Sequence, residues 1–256
     1  MDSMCQVRWL GRMDYGQTLE LQKDLAAKRL ANQIPDTMLL LEHPQTYTVG
    51  VDGYQRHLLI SKAEMAGHNI AYYQKVDRGG GIFFHCPGQL VVYPILKLGE
   101  NCRNYHDYID KLERVIIHTL SYFKIRAFRQ QGQGTIWVFS ADPAHTGQLQ
   151  QADDAVAKIG GIGIKVDRQG ITSHGFWINV NPNLQYFDLI VPGAIKDRYV
   201  TSMQHILNKP IEIGAIIQPV IESFSKIFEV EPLCLETPVA AKRSATRRIS
   251  AVEMNR

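Results

Sequence analysis

Residues Asp77–Leu98 read DRGGGIFFHCPGQLVVYPILKL. Three consecutive glycines follow Arg78, permitting backbone positions with φ > 0 and a close approach of main-chain N–H groups to a ligand. A short strand is predicted at Ile82–Phe84. Pro87–Gly88 then turns the chain into a long apolar strand, Leu90–Leu98. Arg78 and His85 bracket the glycine loop. The segment matches neither GxGxxG nor GxxxxGK[ST], which argues against a nucleotide-phosphate loop. From these residues alone, a ligand-binding loop and a glycine-rich hairpin turn with ordinary hydrogen bonds read equally well.

The flanking chain supplies the rest of the layout. Gln6–Arg12 alternates like a strand, and Tyr15–Ala31 has helical spacing with Asp14 as a plausible N-cap. Met38–Leu41 is a short, fully apolar run typical of a buried strand. Ser61–Gly67 is read as a helix, Ile70–Val76 as a strand, and Tyr105–Phe123 as the clearest amphipathic helix. Strands are expected near Ala127–Phe128 and Thr135–Phe139, then a polar loop over Ser140–Asp154. Lys158–Val166 and Ile171–Asn179 alternate about Asp167–Gly170 as a β-hairpin. Glu212–Phe228 closes the body as a helix with Pro219 inside, where a kink or break is expected. Helices and strands mix without regular βαβ alternation. The pattern predicts an α+β fold: one domain over 1–238, with a largely antiparallel mixed sheet flanked by helices.

Composition bounds the function. With 256 residues, 45% hydrophobic and 21% charged, the chain can bury a sizeable core, and nothing in it suggests a fibrous or disordered protein. No apolar run reaches membrane-spanning length and the first residues lack a signal-peptide core, so neither a membrane nor export is expected. The net charge of +3 is concentrated in the C-terminal segment. Val239–Arg256 carries Lys242, Arg243, Arg247, Arg248 and Arg256 against Glu253, leaving about −1 for the body. The folded part therefore gives no reason to expect nucleic-acid binding. The tail is read as a flexible extension, or as a steering patch for an acidic partner. Cys5, Cys86, Cys102 and Cys234 have no CxxC or zinc spacing. They read as reduced thiols of a cytoplasmic protein that needs no metal and no cofactor.

A second segment, Lys158–Asn181, reads KIGGIGIKVDRQGITSHGFWINVN. A lysine among apolar and glycine neighbours loses hydration, which lowers its pKa and suits it to act as a base. A strand-end lysine pointing to water fits the same residues. His174 and Asn179 lie on the next strand, and a lone strand histidine is more often a satisfied core group than a catalyst.

In combination, RGGGIFFHCPGQLVVYPI, KIGGIGIKV, SHGFWINVN and DLIVPGAI resemble, in order, the motifs of the lipoyl(octanoyl)transferase family. The resemblance runs from about Val7 to Phe228. It implies a fold like the catalytic domains of biotin ligases and lipoate–protein ligases. It also implies transfer of an octanoyl group from acyl carrier protein to a lysine of a lipoyl domain, on an E2 subunit or the glycine cleavage H protein, by a monomer. Carried over, Arg78, Gly79, Gly80, Gly81, Ile82, Phe83, Phe84 and His85 line the acyl pocket. Gly161, Ile162 and Gly163 complete it with Gly175, Phe176 and Trp177, and Lys158 is the catalytic lysine. Phe83, Phe84, Tyr93 and Phe176 are candidate walls for the acyl chain.

One position departs from the family. Gly193, in Val191-Pro192-Gly193-Ala194, stands where the family has its nucleophilic cysteine, and glycine cannot be a nucleophile. Three explanations are open: Cys86, beside His85, as a relocated thiolate; direct attack by the acceptor lysine with Lys158 as base; or acyl binding without catalysis. A lipoate–protein ligase that activates a free acid with ATP is the alternative enzyme class. The HCPGQLVVYPI continuation favours the transferase.

Overall fold

Met38–Leu41 is apolar on every side because both faces of its strand are covered. In β2 (Asp36–Glu42), Met38 and Leu40 enter one hydrophobic cluster, while Leu39 and Leu41 enter another on the opposite face. The same division recurs in β6 (Gln89–Ile95), with Leu90 and Val92 on one face and Val91, Tyr93 and Ile95 on the other. Strands buried on both faces read as continuous apolar runs.

The computed structural model describes residues 3–54, 57–99, 105–130, 134–139, 156–190 and 199–235. The expected loop over 140–154, the tail over 239–256 and Gly193 lie outside the described residues. The main sheet runs β12-β1-β2-β6-β10-β9-β8-β7, with β11 beside β9 as a ninth strand. Its strands are β1 (Ser3–Arg12), β2, β6, β7 (Ala127–Arg129), β8 (Thr135–Phe139), β9 (Val156–Val166), β10 (Thr172–Asn179), β11 (Tyr199–Val200) and β12 (Val230–Cys234). The centre is antiparallel as expected. The β1–β2, β1–β12 and β9–β11 pairs are parallel. A separate sheet, β4-β3-β5, holds β3 (Thr46–Val49), β4 (Ala71–Tyr73) and β5 (Ile82–His85).

Helix α1 (Tyr15–Leu30) is capped by Asp14, whose carboxylate accepts the Gln17 N–H at 3.0 Å. Helix α2 (Lys62–Gly67) begins with a Ser61–Glu64 capping box. Helix α3 (Tyr105–Tyr122) buries Leu112, Val115, Ile116 and Leu120 against the sheet. Each such side chain stabilises the fold by about 1.5–3 kcal/mol. The short α4 (Met203–Leu207) precedes α5 (Gly214–Phe228), which packs beside α3. Helix α5 runs unbroken past Pro219, contrary to a break there, and gives up one main-chain bond to the ring. None of the described helices is long and apolar enough to cross a membrane.

Sequence period missed β3, β11, β12, α4 and the 3-10 turn Leu184–Leu189. All are six residues or fewer, too short to establish a period. The strand expected over Ile70–Val76 contracts to Ala71–Tyr73.

Candidate active site

Strand alternation divides the Asp77–Leu98 segment between two environments. On β5, Ile82 and Phe84 face a cluster under the small sheet with Tyr47 and Phe187, and Cys86 joins them just beyond the strand. Phe83 and His85 face the opposite way, into a cleft of about 220 Å³ counted with its open mouth. Tyr15 of α1 lines this cleft, as do Val91 and Tyr93 of β6, Gly163 of β9 and His174–Trp177 of β10. Arg78 closes it from the glycine loop.

The loop is tied to its own chain. The Gly79 N–H donates to Ile164 O (2.9 Å), the Gly80 N–H to the Asp52 carboxylate (2.8 Å), and the Gly50 N–H to Gly81 O (3.0 Å). The expectation that these main-chain N–H groups face a ligand is therefore not met at Gly79 and Gly80. The buried Arg78 guanidinium stacks 3.7 Å from the Phe83 ring centroid and donates to Thr48 O (2.8 Å), Thr48 Oγ1 (2.7 Å) and Gly79 O (3.0 Å). Burial pulls its pKa down to about 10.

A β-bulge delivers Lys158. Ile136 pairs with Gly160 but Trp137 pairs with Lys158, so Ile159 is the extra residue on β9. Ile159 and Gly160 both turn toward the α3 side, Gly160 lying against Ile116. Lys158 thereby shares a face with Gly161 and Gly163, three and five residues on. Its main chain is fixed on the other side by β11, with the Thr201 N–H donating to Lys158 O at 2.9 Å. The buried Nζ lies 5.6 Å from the Phe83 centroid and 5.2 Å from that of Trp177. Burial first, then the Arg78 charge, lowers its pKa to about 8. No carboxylate among the described residues pairs with it.

Three imidazoles surround the cleft and all are held neutral. His85 Nδ1 is 2.7 Å from Gln89 Oε1. Gln89 Nε2 already donates to Phe84 O and to Asn179 Oδ1, so His85 Nδ1 carries the proton and Nε2 is the lone-pair side. Burial pushes the His85 pKa well down and that of His43 to about 4. His43 Nδ1 donates to Met13 O (2.7 Å) while its Nε2 accepts the Tyr93 hydroxyl (2.9 Å). His174 Nε2 donates to Asp77 at 2.9 Å, burial again lowering its pKa. That bond, with Lys165 at 2.6 Å, holds the Asp77 carboxyl well below the usual carboxylate range. Among the described residues no group of three His, Cys, Asp or Glu side chains is arranged to hold a metal ion.

Most expected site residues come together, with informative exceptions. Arg78, Phe83, His85, Gly163, Gly175, Phe176 and Trp177 line the cleft. Gly161 lies beneath the Trp177 indole. Ile162 faces the α3 core, and Ile82, Phe84 and Cys86 face the small-sheet core. Phe84 is thus not a wall of the cleft, and the Phe176 side chain packs in the α3 core on the face of β10 opposite Trp177, so Phe176 only borders the cleft. The Cys86 thiol is pushed up to about 12, chiefly by burial, away from Phe83 and His85. Tyr15, Val91, His43, Gln89 and the Asp77–His174 pair were not picked out as site residues. The buried-strand pattern before His43 is the one sequence signal pointing toward it.

The model of the lipoyl protein ligase A/B catalytic domain matches residues 14–225. The chain is 38% identical over 226 residues to an octanoyltransferase of Chloroflexus aurantiacus, covering 88% of this chain and 95% of that protein. It is 36% identical over 228 residues to an octanoyltransferase of a Roseiflexus species, covering 89% of each. The bipartite lipoate protein ligase of Thermoplasma acidophilum superposes with a TM-score of 0.66 at 13% identity, over 92% of this chain and 88% of that one. A T. acidophilum protein with bound lipoic acid, described as a putative lipoate protein ligase, gives 0.61 at 11% identity, over 94% and 92%. The cleft beneath the glycine loop, with Lys158 beside it, is thus carried by a member of the lipoyl protein ligase A/B catalytic-domain family.

Proposed function

We propose that this chain transfers an octanoyl group from an acyl-carrier-protein thioester to a lysine of a lipoyl domain, in lipoate biosynthesis. Lys158 carries the reading: a buried amine, lowered to about 8, beside two aromatic rings of the cleft. At neutral pH a useful fraction is unprotonated and can accept a proton. Direct transfer accounts for the thiols among the described residues best. Of these, Cys5 and Cys86 are buried with pKa values raised to about 12, and Cys234 is exposed on β12; Cys102 lies outside the described residues. In direct transfer the acceptor lysine Nζ attacks the thioester carbonyl, forming the C–N bond as the C–S bond breaks. Lys158 takes the proton from the attacking nitrogen, and the leaving thiolate takes it in turn. Two neutral imidazoles and Arg78 line the cleft that holds the acyl chain.

The test incubates octanoyl carrier protein, apo lipoyl domain and the full chain, and weighs the lipoyl domain by mass spectrometry. An octanoyl mass gain is expected; none, beside an active control enzyme, rejects the reading. A hydroxylamine-sensitive acyl adduct on the chain itself would reject direct transfer in favour of a covalent route. An ATP-dependent acyl adenylate from free octanoate would favour a ligase instead.

The partners of this reading are octanoyl carrier protein as donor and lipoyl domains as acceptors, met by a monomer in the cytoplasm. The basic segment 239–256 is a steering element for the acidic carrier. Its removal weakens carrier binding at low salt and has little effect at high salt; equal affinity for both forms at low salt rejects that role.

A further inference from the structure

Asn179 and Gln89 stand directly opposite each other in the β6–β10 ladder, on the face that carries Val91, Tyr93 and Trp177. Cross-strand partners on one face are near enough for their side chains to meet. Both amides are wholly buried, so their N–H groups and oxygens need partners inside the fold. The Gln89 Nε2 donates to Asn179 Oδ1 at 2.9 Å and to Phe84 O at 3.1 Å, which uses both of its hydrogens. Asn179 Nδ2 donates in turn to Thr201 O at 2.9 Å, and the Thr201 N–H donates to Lys158 O at 2.9 Å.

These bonds run in one direction only. Turning the Asn179 amide over would set its oxygen against Thr201 O and its NH₂ group against that of Gln89. Turning Gln89 over would set its oxygen against Phe84 O and Asn179 Oδ1. With both amides fixed, His85 Nδ1 meets the Gln89 oxygen at 2.7 Å and carries the proton of that bond. The other nitrogen, Nε2, keeps its lone pair in a ring that lines the cleft, and no hydrogen bond among the described residues reaches it. An octanoyl chain has no polar hydrogen to offer, so this acceptor is matched to another part of the bound substrates.

We propose that Asn179 and Gln89 are positioning residues: their relay holds His85 in the tautomer whose bare Nε2 accepts a hydrogen bond from an N–H group of a bound substrate. That N–H is an amide of the carrier's prosthetic arm or the amine of the acceptor lysine. The inference rests on the transfer reading above. In the other tautomer Nε2 would carry a hydrogen, and two N–H groups would stand face to face. The relay ends on Lys158 O, so one chain of buried amides fixes both the imidazole and the strand that carries the amine.

The experiment first reads the tautomer of His85 by nitrogen NMR of the full wild-type chain, with His85→Gln to assign the signal. A protonated Nδ1 and a bare Nε2 are expected; the reverse overturns the proposal. It then compares Gln89→Met and Asn179→Leu, which break the relay, with Gln89→Glu, which keeps an oxygen facing His85 Nδ1. In the first two, His85 should become a mixture of tautomers and kcat/KM should fall about tenfold, the effect of one lost hydrogen bond. Gln89→Glu should keep the tautomer and more of the rate than Gln89→Met. If neither relay-breaking variant folds, the wild-type spectrum and Gln89→Glu carry the test. Measuring kcat/KM separately for octanoyl carrier protein and for apo lipoyl domain locates the N–H. A loss confined to the first places it on the carrier's arm, and one confined to the second places it on the acceptor. Rates that fall with the tautomer unchanged, or a tautomer that scrambles with rates unchanged, overturn the proposal. A wild type that transfers no octanoyl group removes the transfer reading itself, and the tautomer is read independently of that result.

Discussion

At the residue scale, the site turns on one amine and on which neighbours reach it. The glycines around Lys158 suggested a desolvated base, and the structure supplies the cause in burial and the Arg78 charge. The bulge at Ile159 that turns Lys158 toward Phe83 and Trp177 has no signature in a single sequence, because it exists only against β8. Cys86 fails for a reason the sequence did contain. Alternation that sends His85 into the cleft sends its neighbour the other way, and adjacency in sequence is separation in a strand. In the proposed transfer Lys158 would act in its neutral form, and its pKa is lowered to about 8. The transfer rate should therefore rise with pH, about tenfold per unit, and bend near pH 8. Lys158→Ala should cost roughly 10²–10⁴-fold and remove the bend. Steady-state rates from pH 6 to 9 at saturating donor check both; a bend that survives the substitution assigns it to another group.

At the element scale, the long periodic pieces were legible and the short connecting pieces were not. Helices α1 and α3 and the β9–β10 hairpin fall within two residues of their expected bounds, because each repeats its period several times. Of the small sheet, β5 was expected at Ile82–Phe84 and β4 within Ile70–Val76, whereas β3 was hidden: it has four residues, buried throughout, and shows no alternation. The parallel β12 was hidden because Val230–Cys234 is mostly exposed and carries a proline, as befits an edge. Strand pairing also tells which glycines a strand requires. On β10, a Cβ at Gly175 would stand 2.0 Å from the Val92 carbonyl oxygen of β6, which is backbone and cannot swing away. Gly175→Ala should destabilise the chain by at least about 1–3 kcal/mol through forced strand separation. Gly214→Ala, with nothing within 4 Å of the added methyl, should be neutral or stabilising by about 0.4–1 kcal/mol. Urea midpoints of the two variants decide it. Equal midpoints would mean that β6 and β10 can part there without cost.

At the scale of the whole molecule, candidate cleft and core are one object. The cleft lies where α1, the main sheet and the small sheet converge, so its imidazoles are also core residues that must stay neutral for the chain to stay folded. His43, His85 and His174 all have pKa values pushed below the ordinary 6.5, chiefly by burial. Each is neutral in the folded chain at a pH where the unfolded chain has already taken up a proton. The unfolded state thus binds more protons, and stability is lost as pH falls through 6.5 toward the folded values. For His43, lowered to about 4, the loss approaches about 3 kcal/mol once the pH is below both values. The window from pH 6.5 to 4.5 lies above the ordinary carboxylate range, which separates this effect from protonation of Asp77; Glu113, whose pKa is raised by burial, acts in the opposite sense and cannot produce the fall. Unfolding free energy should therefore fall steadily below pH 6.5, apart from the separate decline that Lys158, lowered to about 8, contributes as pH drops from 8 to 7. His43→Gln, which keeps a hydrogen-bonding side chain without a titrating group, should show a shallower fall from whatever stability it retains at pH 7. A wild-type profile flat from pH 7 to 5 would mean that these imidazoles take up protons in place, and that the cleft is wetter than its packing implies.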